Sequence, residues 1–318
     1  MFKLRILGAV AIISLLTACS SGVQSVPTVP GSVAPASAGG LTPLSTFTAR
    51  DQESGAIVRI YPTQDVIAAI DQGRQPERRG STNLQYFGGP VQTAPHLYVV
   101  FWGSAWNSSS GDPSGVASRL TAFYKVIGGS KWLNSVSQYT QTGGAHVANA
   151  GNIFIGSYVD TSTTPPAHPS QSQMAAEAVK AAAHFGDRTA SASYVVAMPH
   201  GVSPSGFGTQ YCAYHSTASA SGATIAWTNL PYMPDAGASC GANSVNGKGA
   251  LDGVTIVGGH EQGETETDPG AGNGWLDSSG AENGDKCAWI NLENNPNAGG
   301  YPTQPLWSNA TSSCVQSF

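Results

Sequence analysis

Only 10% of the 318 residues are charged and the formal net charge is −5, which argues against nucleic acid as a partner. Glycine and proline, 39 and 20 residues, make it loop-rich. The length suits one large domain or two small ones.

Residues 1–18 read as a lipoprotein signal peptide. Lys3 and Arg5 precede the apolar run "ILGAVAIISLL", which leads into "LTAC" at Leu16 to Cys19. The run is too short to cross a bilayer, which takes roughly 20 apolar residues. "LTAC" resembles a bacterial lipobox, and the resemblance implies cleavage before Cys19 and lipidation of that cysteine. The expectation is a monomer in the cell envelope, held to a bacterial membrane through Cys19 and facing the periplasm or exterior. No other long apolar run is present.

Residues 19–45 are rich in Ser, Gly, Pro and Val and read as a flexible tether. Residues 46–89 read as an N-terminal extension, packed on the domain or serving as a prosegment. Within them "GAIVRIYPT" suits a strand and "QDVIAAIDQG" a short helix. The main domain is expected over 90–318.

In that domain "HLYVVFWG", residues 96–103, is β-branched and aromatic and predicts a buried strand. "DPSGVASRLTAFYKVIGG", 112–129, predicts a helix begun by Asp112 and Pro113 and ended by Gly128 and Gly129. "GNIFIGSYVD" is a second strand. "PSQSQMAAEAVKAAAHFG", 169–186, predicts an Ala-rich helix with Ser caps and a terminal Gly. "SASYVVAMP" and "TIAWTNLPYM" are further strands. Strands alternating with helices predict an α/β sandwich with a central sheet.

Cys212, Cys240, Cys287 and Cys314 form an even set in an oxidising compartment. Three pairings are possible. Cys212–Cys240 and Cys287–Cys314 are favoured because each closes a local loop of under 30 residues. A zinc site made of all four lacks the usual CxxC pairs.

The stretch "DGVTIVGGHEQGETETDP" predicts a helix capped at Asp252 and stopped by Pro269. At 100° per residue, Ile256, Val257, His260 and Glu264 share one stripe, so His260 and Glu264 face inward with the apolar residues. Eight of the chain's 19 acidic residues lie between Asp252 and Asp285, a span with no Lys or Arg. Such a cluster is either solvated or gathered around a cation.

A His and an acid at i and i+4 can clamp one metal, as in HExxH zinc peptidases, with Glu264 in place of the second histidine. Zinc activates water for attack, and Glu261, one residue on, would take the proton. The third ligand is expected from "GAENGDKC", with Glu282 preferred and Asp285 next. Asp268 is roughly 12 Å along the helix from His260 and too far. Zinc is the expected ion; a calcium or purely structural acidic loop, or a solvated one, is the alternative. His215, in "YCAYHS", is a candidate substrate-binding or transition-state group. His184 suits a helix C-terminus, and His96, His146, His168 and His200 are expected at the surface.

The blocks "LYVVFWGSAW", "YCAYHS", "IAWTNLPYM", "ASCGAN", "LDGVTIV", "TDPGAGNGW" and "ENGDKC" occur in order from about residue 97 to 287. In this the chain resembles the EXORDIUM / phosphate-induced secreted proteins of plants, and more closely their bacterial relatives. The bacterial relatives look like zinc peptidases carrying HExxE, which His260, Glu261 and Glu264 match. The plant members look like extracellular, growth-associated proteins and generally lack the His-Glu pair. Two expectations follow. One is an exported zinc peptidase of zincin-like α/β fold, acting on a peptide or cell-wall-associated substrate. The other is a non-enzymatic cell-surface protein with a structural or calcium-bound acidic cluster.

Overall fold

The computed structural model describes residues 40–73 and 82–318. The signal peptide, Cys19 and most of the tether lie outside them. No helix among the described residues is long and apolar enough to cross a membrane.

The elements follow in chain order: β1 (Leu41–Pro43), β2 (Thr48–Asp51), β3 (Ile57–Pro62), α1 (Gln64–Gly73), β4 (Gln85–Tyr86), β5 (His96–Trp102) and α2 (Val116–Ile127). Then come β6 (Phe154–Asp160), α3 (Gln171–Phe185), β7 (Ala192–Ala197), β8 (Tyr211–Ala220), β9 (Ala223–Leu230) and α4 (Asp252–Thr267). Short strands close the chain: β10 (Trp275–Leu276), β11 (Glu293–Asn295), β12 (Tyr301–Thr303), β13 (Leu306–Ser308) and β14 (Ser313–Val315).

The chain is α/β, with one mixed sheet of eight strands in the order β1-β2-β3-β8-β9-β7-β5-β6. Strands β9, β7, β5 and β6 run parallel, and β1, β2, β3 and β8 are added antiparallel. Strands β5 and β7 carry apolar runs because both of their faces are covered, whereas β6 at the sheet edge is partly exposed. From β5 the chain crosses through α2 to β6 on one side, then through α3 back past β5 to β7 on the other. Right-handed crossovers in opposite directions put α2 and α3 on opposite faces.

The helices at 112–129 and 169–186 appear where the sequence predicts them. Asp112 does not cap α2 as a neighbour would. Four residues ahead of the helix, its carboxylate accepts the Val116 and Ala117 amides at 2.7 and 3.1 Å. Ser170 caps α3 in a reciprocal box with Gln173, and Gly186 ends it in the left-handed region.

Strand β8 was not foreseen. Its alanines and serines give a weak strand signal. Register decides it instead: β8 and β9 form a hairpin around Ser221 and Gly222, both at positive φ, which suits the right-handed twist of the pair. The stretch read as tether and extension is also woven into this sheet. Leu41–Pro43 forms β1, and β3 pairs along β8 with Arg59 opposite His215. Both disulfides have the favoured pairing, Cys212–Cys240 and Cys287–Cys314.

Side chains alternate across a strand. On β8, Tyr214 faces a small cavity lined by Gln171 and Met174 of α3, and His215 faces α4. Helices α3 and α4 therefore cover opposite faces. Residues Arg59 and Tyr61 of β3 share the α4 face with His215.

Candidate metal centre

All 16 residues of α4 are buried. The sheet lies beneath it, α2 beside it, and Trp132 and Leu306 close over it. A helix enclosed on every side is normally apolar all round. This one carries Asp252, His260, Glu261, Glu264 and Glu266. Its glycines explain how it fits. A Cβ on Gly259 would meet Trp132 at 2.9 Å and Phe123 at 3.1 Å, and one on Gly263 would meet Leu306 at 2.9 Å.

The helix limits agree with the sequence, but Asp252 does not cap it. The Asp252 carboxylate accepts the Val245 and Asn246 amides at 3.0 and 2.7 Å and ties down the preceding loop. At the other end, the Asp268 carboxylate accepts the Asn273 and Gly274 amides and closes the following loop.

His260 and Glu264 lie on one face as expected, with Nε2 and Oε1 3.0 Å apart. The loop "GAENGDKC" folds back onto them, and both of its acids arrive. Asp285 Oδ1 is 3.7 Å from His260 Nε2. Glu282 goes elsewhere: its Oε1 is 3.6 Å from His215 Nε2. Asp285, the second choice from sequence, is therefore the partner of His260 and Glu264, and Glu282 is the partner of His215. Gly284 lets the loop come this close, because a Cβ there would sit 2.7 Å from His260 Nδ1.

His215 and Glu261 also meet, with Nδ1 and Oε2 3.2 Å apart. Glu261 points away from the His260 stripe, as one residue's rotation requires, and reaches β8. The ring of His260 is fixed by stacking on Tyr61, centroid to centroid 3.8 Å, and Tyr61 stacks in turn on Trp289 at 4.6 Å. The Tyr61 hydroxyl donates to Gln304 Oε1 at 2.6 Å. Trp289 sits at φ 61, where a bulky residue is strained. The stack and its indole bond to the Pro62 carbonyl, 2.8 Å, hold it there.

None of His215, His260, Glu261, Glu264, Glu282 and Asp285 is more than 1% exposed. Burial holds His260 down to about 4 and His215 to about 3, with Arg59 and His260 adding to the latter, so both imidazoles are in the uncharged form that binds a metal. Burial pushes Glu264 up to about 8, against the opposing Asp285 amide. Burial first, and neighbouring carboxylates second, push Glu261, Glu282 and Asp285 well up.

One cation does approach, and the sequence reading missed it. Arg59 acts electrostatically on Glu264, Glu282, Asp285 and Asp268. It arrives from 221 residues away, donating to the Gly280 carbonyl at 2.9 Å. Lys286, the nearest basic residue in sequence, turns aside to Asp277 and the Trp307 ring. The alternation in "VRIYP" was the available signal for Arg59 and Tyr61, since both fall on one face of a strand.

Several buried polar atoms have no hydrogen-bond partner: both nitrogens of His260, His215 Nε2, Glu261 Oε1, both oxygens of Glu282 and Asp285 Oδ1. An orphaned buried polar atom is costly, and so many together need a shared partner. Nitrogen and carboxylate donors at these separations fit a metal ion. Two ligands each ~2.1 Å from one ion stand roughly 3.4 Å apart at the tetrahedral angle. The other histidines are on the surface or half-buried; His96 pairs with Asp187 and His200 with Asp235. His184 stacks on Tyr158 at 3.8 Å. Comparison of the chain with family models, with curated proteins and with solved structures finds no match in any of the three.

Proposed function

We propose that the protein is an exported, metal-dependent hydrolase of peptide bonds, on a zincin-like frame of sheet and buried helix. One observation carries the proposal. A His and a Glu one turn apart on a buried helix meet an Asp from a distant loop, and His260 Nε2 and Asp285 Oδ1 have no hydrogen-bond partner. His260, Glu264 and Asp285 would hold the ion. Two imidazoles in the cluster favour zinc over calcium, which takes oxygen ligands.

A bound zinc supplies Lewis acidity towards water and a substrate carbonyl. Glu261 Oε1 is unpartnered and accepts a proton from water, then returns it to the leaving amine. Glu261 Oε2 faces His215 Nδ1 and fixes that ring's tautomer. Arg59 offsets part of the negative charge. The HExxE spacing and the resemblance of the ordered blocks to bacterial EXORDIUM-like proteins support this reading. The lipobox-like "LTAC" supports a lipid anchor at Cys19, in the cell envelope, with peptide or cell-wall-associated material as substrate.

The Glu261→Gln variant tests it. Zinc should stay bound while hydrolysis of a mixed-peptide substrate falls by about 10²-fold or more. Zinc-free wild-type protein, or full activity in the variant, would overturn the proposal.

The complete burial of the donors favours a second reading, a closed structural metal in a non-enzymatic EXORDIUM-like surface protein. Wild-type protein that binds zinc, hydrolyses nothing and loses stability on chelation would select it.

A further inference from the structure

The donors gather in two places. His260, Glu264 and Asp285 form one group of three, and His215, Glu264 and Glu282 form another. Only Glu264 belongs to both. In each group one Glu264 oxygen lies within 4.8 Å of the donor atoms of its two partners, and Oε1 is 3.0 Å from His260 Nε2.

We propose that the interior holds two divalent metal ions side by side, bridged by the Glu264 carboxylate. One ion lies against His260 and Asp285, the other against His215 and Glu282. The proposal rests on the metal-binding reading above and adds the second ion.

Three observations favour it. The first is that one ion leaves part of the cluster unexplained. An ion held by His260, Glu264 and Asp285 does nothing for His215 Nε2 or for the two Glu282 oxygens, which remain buried without a partner. His215 Nε2 and Glu282 Oε1 are 3.6 Å apart. That is too long for a hydrogen bond and close to the ~3.4 Å expected of two ligands on one ion.

The second is the orientation of His215. Its Nδ1 faces Glu261 Oε2, which leaves Nε2 free and aimed at Glu282. A carboxylate behind a histidine is the usual support for a metal-ligating imidazole. Glu261 thus stands between the halves, with one oxygen on His215 and the other unpartnered.

The third is charge. Glu261, Glu264, Glu282, Asp285 and Asp268 act on one another in the interior, and Arg59 acts on all of them but Glu261. Once metal binding has displaced their protons, one divalent ion with Arg59 would leave two of the five negative charges uncompensated, and two ions would leave none. Paired metals about 3.5–4 Å apart are a recurrent arrangement in hydrolytic sites, where they clamp the attacking and leaving oxygens.

The test counts metal. The full chain is equilibrated with zinc sulfate, dialysed, and assayed for zinc per chain. A parallel sample is loaded with manganese(II) for electron paramagnetic resonance. Two zinc per chain are expected in the wild type, and one in His215→Ala and in the near-isosteric Glu282→Gln. The manganese spectrum should be exchange-coupled in the wild type and revert to an isolated six-line signal in Glu282→Gln. Circular dichroism reports folding, and Glu282→Gln serves should His215→Ala fail to fold. One zinc in the wild type and still one in Glu282→Gln would overturn the second ion and leave the single-metal reading intact. No zinc in the wild type would overturn both.

Discussion

At Gly284 the loop "GAENGDKC" passes so close to His260 and Glu264 that a methyl group would stand 2.7 Å from His260 Nδ1 and 2.9 Å from Glu264 Oε1. The backbone there is at φ −76 and ψ −42, which alanine adopts freely. Gly284→Ala therefore adds bulk at the ligands without backbone strain. Zinc content should fall at least tenfold while circular dichroism stays native; unchanged zinc would count against the site. A second buried cluster away from the candidate metal centre sets a pH dependence. Lys180 bonds to Asp160 and lies 3.6 Å from Glu177. Burial first, then Asp160, pushes Glu177 up to about 8 from its ordinary 4.5. The folded protein thus holds a proton that the unfolded chain releases. This contribution to stability is complete below about pH 4.5 and is lost as pH rises through about 8. Denaturation midpoints across that window should fall less in Glu177→Gln than in the wild type. Residues near in sequence were legible: His260, Glu264, Glu282 and Asp285 lie within one helix and one loop. Arg59 and Tyr61 were not, because only the pairing of β3 with β8 brings them to the site.

Among the elements, α4 departs furthest from ordinary helix chemistry. Its glycines lower intrinsic helicity by about 1 kcal/mol each against alanine. On a solvent-facing helix, Gly→Ala would stabilise by that amount. At Gly259 the new methyl meets Trp132 and Phe123, so Gly259→Ala should instead destabilise by about 1–3 kcal/mol. A urea midpoint that moves down at constant slope would show this; one that moves up would refute the packing argument. The same glycines weaken the helix signal in sequence, and the His-Glu spacing, not propensity, identified α4. Strand β8 escaped notice for a related reason: its identity resides in the hairpin with β9 and in its neighbour β3. Strands β5 and β7 were legible because burial on both faces demands apolar runs, and β6 and β9 because of their β-branched and aromatic residues.

For the molecule as a whole, the α/β class, both disulfide pairings and the strand within "GAIVRIYPT" were legible; β1, β2 and the joining of these strands to the main sheet were not. Strands β1 and β2 are too short and polar to announce themselves, and what ties them to the main sheet is the pairing of β3 with β8, more than 100 residues away. The Cys287–Cys314 bond closes a separation of 27 residues beside Asp285. Replacing both cysteines by serine should cost about 3–4 kcal/mol, from the entropy of the opened loop. Thermal unfolding checks this, and an unchanged melting temperature would contradict it. The span between Arg59 and Gly280 has a kinetic consequence. The donors of the centre come from β8, α4 and the loop after α4, with Arg59 and Tyr61 from β3, so the centre is complete only when all four have docked. On the metal reading, an ion that binds only the finished centre is absent from the folding transition state. Zinc should therefore leave the refolding rate unchanged and slow unfolding, acting as a latch.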